Sequence, residues 1–331
     1  MFSAKGFKMR IGITYDLKSD YLKEGFSTEQ VAEFDCEETI DAIENAIRNE
    51  GHTPDKIGNV KALVKRLAAG DRWDLVFNIA EGVDGMGREA EVPALLEAYH
   101  IPSTFSGADL MALTLNKAMT DAVVRSYGVP ACEFFLVKEA ADIDDMPLSY
   151  PVFAKPVAEG TSKGISAKSC VHNKAELKDV CTDLLERFHE PVLVETYLSG
   201  REFTVGLIGS GKNARVIGVA EIVLGEKAEQ EAYTYENKQK YEDRVRYVLV
   251  DEPKVAETAL KAWEALDCLD AGRIDVRLDA QGTPRFIEVN PLAGLNPTYS
   301  DLPILCKMAG MDYQTLIGEI LKSAIHRVKN S

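Results

Sequence analysis

The chain has little that would tie it to nucleic acid, to a bilayer or to an oxidising compartment. Lys and Arg number 38 against 53 Asp and Glu, a formal net charge of −15. A negative surplus of that size repels phosphate backbones and anionic lipid, so neither is expected as a partner. No apolar run is long enough to span a membrane. The opening residues, MFSAKGFKMR, have lysines with no apolar stretch behind them, so a secretory signal is not expected, and Met9 is a candidate natural start. The six cysteines (Cys36, Cys132, Cys170, Cys181, Cys268, Cys306) are scattered with no CxxC spacing. That excludes the usual zinc patterns and points to a reducing, cytoplasmic setting. The five histidines show no metal-ligand spacing, Ser106 has no His/Asp partner signature, and the GxxxxGK[ST] P-loop is missing.

What is present fits a soluble globular protein: 331 residues, 46% hydrophobic and 27% charged, enough for two or three domains. Met9–Tyr15 and Asp74–Ile79 read as buried parallel strands. Helices are predicted over Asp35–Glu50, with Asp35 as N-cap, and over Glu89–Tyr99. This alternation predicts an open parallel sheet whose ligands lie at the strand C-termini, near Tyr15–Asp16 and Asn78–Gly87. A helix is predicted over Asp109–Tyr127, then strands at Glu133–Val137, Val152–Lys155 and Gly164–Lys168, a helix at Lys174–Phe188 and a strand at Val192–Glu195. Longer strands follow at Glu202–Ile208 and Ala214–Glu221, and helices near Leu302–Ala309 and Tyr313–Arg327 close the chain. The expected class is therefore α/β for the first unit and α+β for two units after it.

Three stretches carry chemistry. In AGRIDVRLDAQGTPRFIEVNP (271–291), two apolar strands flank a turn-rich link and read as a hairpin. It presents Arg273, Asp275, Glu288 and Asn290. Two carboxylates and an amide oxygen suit Mg²⁺ bound with nucleotide phosphates, and an arginine beside them can stabilise developing charge. The same alternation also describes the outer face of an amphipathic hairpin. In AKPVAEGTSKG (154–164), a lysine ends a strand and a loop of small residues follows, able to wrap backbone N–H groups around phosphate or to serve as a flexible turn. In VLVETYLSGREFTVGLIG (192–209), Glu195 closes one strand and Glu202 opens the next. The link between them is either a surface turn or an adenine-reading edge with a ribose carboxylate beyond it.

KPVAEGTSKG, VETYLSGREFTVG and GRIDVRLD…FIEVNP, in this order and spacing, resemble the ATP-grasp superfamily and, more closely, the D-alanine–D-alanine ligase family. AEFDCEETIDAIENAI and AGMDYQTLIGEIL are similar to the family's first and last helices. The resemblance implies an ATP-grasp fold with an N-terminal Rossmann-like parallel-sheet (pre-ATP-grasp) domain: 1–106 N-terminal α/β, 107–198 central, 199–331 C-terminal with the metal site. It implies ATP held by Lys117, Lys155, Ser162, the linker Glu195, Thr196, Tyr197 and Leu198, the ribose carboxylate Glu202, and Lys238 in a mobile lid over Tyr233–Arg244. It implies two Mg²⁺ ions (Mn²⁺ as a substitute) on Asp275, Glu288 and Asn290, and an oxyanion held by Arg273 and the Gly294 backbone. Glu33 matches the acid that grips the first amino acid's ammonium, and Thr161 the residue beside that substrate. Dimers are common in the family, so a homodimer is expected by analogy alone.

Departures gather at the amino-acid end. NIAEGVDGMGREAEVP (78–93) stands where the family has a His-Gly start and a Gly-Glu-Asp-Gly segment. Gln239 follows Lys238 where a tyrosine is usual, with Tyr241 a substitute. PLAGLNPTYSDLP (291–303) replaces a Ser-Pro-Gly-Met-Thr type segment, with Tyr299 or Ser300 in place of its final serine. The expected function is D-alanine–D-alanine ligation through an acyl phosphate. The alternatives are the same reaction on other amino acids or amines and, in a different class, nucleotide binding without turnover.

Overall fold

The computed structural model describes residues 8–225 and 245–330. Lys238, Gln239, Tyr241 and the whole expected lid, Tyr233–Arg244, therefore lie outside the described residues.

The first sheet is parallel, with β1 (Arg10–Tyr15) between β2 (Thr53–Gly58) and β3 (Leu75–Ile79). Helix α1 (Lys18–Lys23) follows β1, and α2 (Glu37–Asn49) buries Ile40, Ile43 and Ile47 on the sheet, the 3.6-residue stripe seen in the sequence. The start of α2 differs from expectation. Cys36, not Asp35, is at the N-cap position, and no side chain caps it. Strand β2 was not anticipated because TPDKIG is polar and contains Pro54. It is tolerated at an edge where only β1 pairs with it. Asn59 caps α3 (Val60–Ala68), and a 3₁₀ turn over Arg88–Ala90 leads into α4 (Glu91–Ala98).

The helix predicted over 109–127 is two helices, α5 (Ala108–Leu115) and α6 (Lys117–Ser126). Asn116 leaves helical geometry and its side chain accepts the Met119 N–H, so the break is a cap in mid-run. The second sheet, ordered β4-β7-β5-β6, is antiparallel: β4 (Phe134–Val137), β5 (Val152–Pro156), β6 (Cys170–Val171) and β7 (Val192–Thr196). Helix α7 (Lys174–Phe188) covers it with Leu177, Cys181 and Leu184. The strand predicted at Gly164–Lys168 is absent. Ser166 and Ser169 exchange hydroxyl–backbone hydrogen bonds there and fold the segment into a 3₁₀ turn, leaving two residues for β6.

The third sheet runs β10-β9-β8-β11-β12, all antiparallel: β8 (Glu202–Ile208), β9 (Arg215–Leu224), β10 (Val245–Val250), β11 (Ala271–Leu278) and β12 (Pro284–Asn290). Strand β10 starts at the end of the charged run YEDRVR (241–246), with Val245 and Arg246 paired to β9. Helix α8 (Pro253–Ala265) places the fully buried Trp263 against this sheet. The chain closes with α9 (Asp301–Met308) and α10 (Tyr313–Asn330). Leu316, Ile317, Ile320 and Leu321 of α10 share one core with Ile11, Ile13 and the α2 isoleucines. A buried ion pair reinforces that junction. Arg327 reaches Asp270, whose side chain is wholly buried, at 2.6 Å, and the same carboxylate accepts the Phe105 N–H.

Candidate active site

A cavity of about 660 Å³ lies where the three sheets meet, and every expected site residue among the described ones lines it. The hairpin forms one wall. Arg273 is opposite Asn290 and Asp275 opposite Glu288, so the antiparallel register brings the four polar side chains together. Arg273 grips Asp275 with two hydrogen bonds, Nε to Oδ1 at 3.0 Å and Nη2 to Oδ2 at 2.8 Å. Its third bond, Nη1 to Asp301 Oδ2, is 2.6 Å. Tyr247 donates to the other Asp301 oxygen, and Thr204 to Asp275 Oδ1.

The arginine fork thus holds in place a carboxylate whose two oxygens a cation would claim. Among the described residues no three carboxylate, imidazole or thiol side chains converge closely enough to hold an ion unaided. Asp275, Glu288 and Asn290 instead offer a partial shell of hard oxygens that nucleotide phosphates would complete, which fits Mg²⁺.

The opposite wall supplies cations. Lys155, the last residue but one of β5, pairs with Glu195 of β7 at 2.7 Å, both side chains about 5% exposed. Burial would lower the Lys155 ammonium, but Glu195 and Glu288 outweigh it and raise its pKa. Behind this pair stands Asp121, buried with no donor to either oxygen. Burial and the neighbouring Glu195 push its carboxyl up to about 9, so it is protonated near neutrality and can donate to Glu195. Lys117, delivered by the break between α5 and α6, donates to the Glu159 carbonyl at 2.6 Å and lies 3.8 Å from Glu288. The linker 195–198 passes from the second sheet to the third, and Glu202 at the start of β8 meets Arg277 at 3.4 Å.

The small-residue loop is strained. Thr161 and Ser162 both adopt left-handed φ, +50° and +57°. Gly160 packs against the Glu33 carboxylate, and a Cβ there would press on Oε1. Glu33 is enclosed on its other side, with Lys163 Nζ at 3.1 Å and Arg88 Nη2 at 3.4 Å from Oε2. Burial would raise this carboxyl, yet Lys163 and Arg88 hold it below its ordinary value. Gly294 is on the cavity wall against Ser300, whose hydroxyl accepts the Asn296 N–H, and Tyr299 lines the same wall.

Sequence reasoning missed Thr204, Tyr247, Asp301, Glu81 and Glu89, all of which line the cavity. Tyr247 falls outside every motif, while Asp301 lies at the end of PLAGLNPTYSDLP beside the candidates Tyr299 and Ser300. Glu81 and Glu89 lie within NIAEGVDGMGREAEVP, where the departure from the family pattern was the available signal.

The fold and this wall-to-wall arrangement define an ATP-grasp enzyme. A family model described as the D-ala D-ala ligase C-terminus matches residues 123–322. An uncharacterised protein of Sinorhizobium fredii is 32% identical over 76% of this chain and 75% of its own length. A D-alanine–D-alanine ligase of Herminiimonas arsenicoxydans is 32% identical over 86% of both chains. The crystal structure of the D-alanine–D-alanine ligase from Bacillus anthracis complexed with ATP superposes with a TM-score of 0.72, at 20% identity, over 97% of this chain and 99% of that one. The chain belongs to the D-alanine–D-alanine ligase family and is an ATP-dependent, ADP-forming ligase. No helix among the described residues is long and apolar enough to cross a membrane.

Proposed function

We propose that the chain joins the carboxylate of one amino acid to the amine of a second, with D-alanine the first candidate for both. The observation that carries this is the convergence of Arg273, Asp275, Glu288 and Asn290 with Lys117 and Lys155 in one cavity. A free carboxylate is a poor acyl donor because its leaving group would be oxide. Its oxygen attacks the γ-phosphorus of ATP, the bond to the β-phosphate oxygen breaks and ADP departs, leaving an acyl phosphate. The amine nitrogen then attacks the acyl carbon and forms a tetrahedral oxyanion. Collapse expels phosphate and the nitrogen loses its proton.

Lys117 and Lys155 position the phosphates as point charges. Arg273, with the Gly294 backbone, faces the oxyanion, and Asp301 fixes the guanidinium while Asp275 is drawn off. Asp275, Glu288 and Asn290 would hold Mg²⁺, which when bound with nucleotide neutralises phosphate charge. The linker 195–198 and Glu202 take the adenine and ribose.

The test is Mg²⁺-dependent release of ADP and phosphate with D-alanine alone, then with a panel of D- and L-amino acids and simple amines. Turnover with D-alanine and a dipeptide by mass spectrometry supports the reading in full. Turnover only with another pair moves the substrates and keeps the mechanism. Silence throughout rejects it.

A further inference from the structure

One buried acid behind the nucleotide wall has no task in the scheme above. Asp121 follows Lys117 on α6 by about one helical turn, so the face that delivers a cation to the cavity also turns this carboxyl inward. Asp121 is 1% exposed, and among the described residues neither of its side-chain oxygens has a hydrogen-bond partner. It does not itself line the cavity. It backs Glu195, which does, and which opens the linker 195–198 and holds Lys155.

Two ionised carboxylates are acceptors only and cannot share a dry site. A proton on Asp121 removes the clash and gives it an O–H to donate to Glu195. The surrounding charges come from every element packed here. Lys117 and Arg125 are on α6, Lys155 on β5, Glu195 on β7, Glu288 and Arg285 on β12, with the Cys132 thiol beside them. The arginines stay charged, and burial with Glu195 nearby pushes the Cys132 thiol up. While Asp121 is neutral, Lys155 and Glu195 balance each other and Lys117 remains for phosphate. Once ionised, Asp121 opposes Glu195 directly and puts negative charge one turn from Lys117.

We propose that Asp121, as a neutral acid, is a positioning residue for the nucleotide: it donates to Glu195, sets that carboxylate where the linker meets the base, and keeps negative charge away from the phosphate lysines. This rests on the reading of the linker 195–198 as the adenine edge. Nucleotide affinity then carries a proton dependence of its own. It holds while Asp121 keeps its proton and falls as pH rises through about 9.

The experiment reads binding rather than turnover, because amine substrates titrate in the same range. ADP affinity, with Mg²⁺, is measured on the full chain by isothermal titration calorimetry from about pH 7.5 to about pH 9.5. Asp121→Asn keeps a donor to Glu195 and never ionises. Its ADP affinity relative to wild type is expected to grow about fourfold over that range. Asp121→Ala has no donor and is expected to weaken ADP about tenfold at the lower pH and to narrow the preference for ADP over GDP, with Asp121→Asn recovering most of both. A purely structural role would change the thermal midpoint and leave the affinity ratio flat with pH. A flat ratio therefore overturns the assignment. So does wild-type ADP affinity in Asp121→Ala, because Glu195 would then keep its place unaided. The Asn ratio carries the test if Asp121→Ala does not fold. Equal affinity of wild-type protein for ADP and GDP rejects the linker as the base-reading edge, a result distinct from either.

Discussion

The two ends of the cleft treat charge in opposite ways. At the nucleotide end each acid has a cation within reach: Asp275 and Asp301 share Arg273, Glu195 has Lys155, Glu202 has Arg277, and Lys117 approaches Glu288. At the amino-acid end Glu33 has two cations in hydrogen-bond reach, while Glu81 and Glu89 make no ion pair among the described residues and feel Arg88 only at longer range. The first arrangement keeps the wall ordered when empty, and its ion pairs can be exchanged for phosphate and metal. The second leaves two carboxyls that burial pushes toward the neutral form. Pairing holds a carboxylate charged and fixed, whereas burial without an ion pair lets it take up a proton.

The sharpest way to break this contrast is at the nucleotide end. Asp275→Ala, or Glu288→Gln, is expected to abolish ATP turnover while circular dichroism stays near wild type, although Asp275→Ala also lowers the thermal midpoint because it removes a buried partner of Arg273. Retained turnover in either variant would show that the hairpin does not hold the metal. Next in size is Glu33→Gln, which strands Arg88 and half-strands Lys163. A loss of about 3 kcal/mol in unfolding free energy is expected by denaturant titration. No loss would mean that the two cations do not depend on Glu33 and that the ends differ less than their geometry says.

A smaller effect, with a pH signature, comes from Asp121. Its folded-state pKa of about 9 lies above that of an unfolded aspartate, so its contribution to stability is fully present below about pH 4 and is lost as pH rises through 9. Asp121→Asn removes that dependence. The variant should match wild type at pH 4 and exceed it by up to about 5 kcal/mol at pH 8, measured by denaturant titration. A gain that does not grow with pH would place the proton elsewhere. The smallest effect is at the residue that joins the two ends. Asn116→Ala removes the cap that turns Lys117 inward and should cost about 1 kcal/mol, with a modest rise in the KM for ATP. An unchanged KM would mean that Lys117 keeps its place without the cap.

Much of the nucleotide end was legible in the sequence because its residues sit in local patterns. Asp275 and Glu288 are separated by one hairpin, and alternation alone puts each beside its neighbours. Lys155 and Glu195 lie one residue from the ends of strands whose apolar runs are plain. The rest depends on contacts that no local pattern encodes. Asp301 is 28 positions from Arg273, and Tyr247 follows a charged run that gave no strand signal. Glu33 matched an expected ammonium acid by its place near the first helix, but the cations around it come from positions 88 and 163. Fold errors have the same origin. Asn116 reads as one more helical residue until its side chain caps the next helix, and β2 is an edge strand too polar to stand out.

The α10 helix has a consequence for how the chain is made. Its apolar face completes the core begun by β1 and α2, and Arg327 seals the junction through Asp270. Residues 10 and 313 are about 300 positions apart, a delay on the order of 15–60 s during synthesis. Through that interval the earliest strand to leave the ribosome waits for the last helix, its isoleucines uncovered on one side. The beginning of the protein is thus finished by its end, and a ribosome that stalls short of α10 releases a chain whose first sheet has no lid.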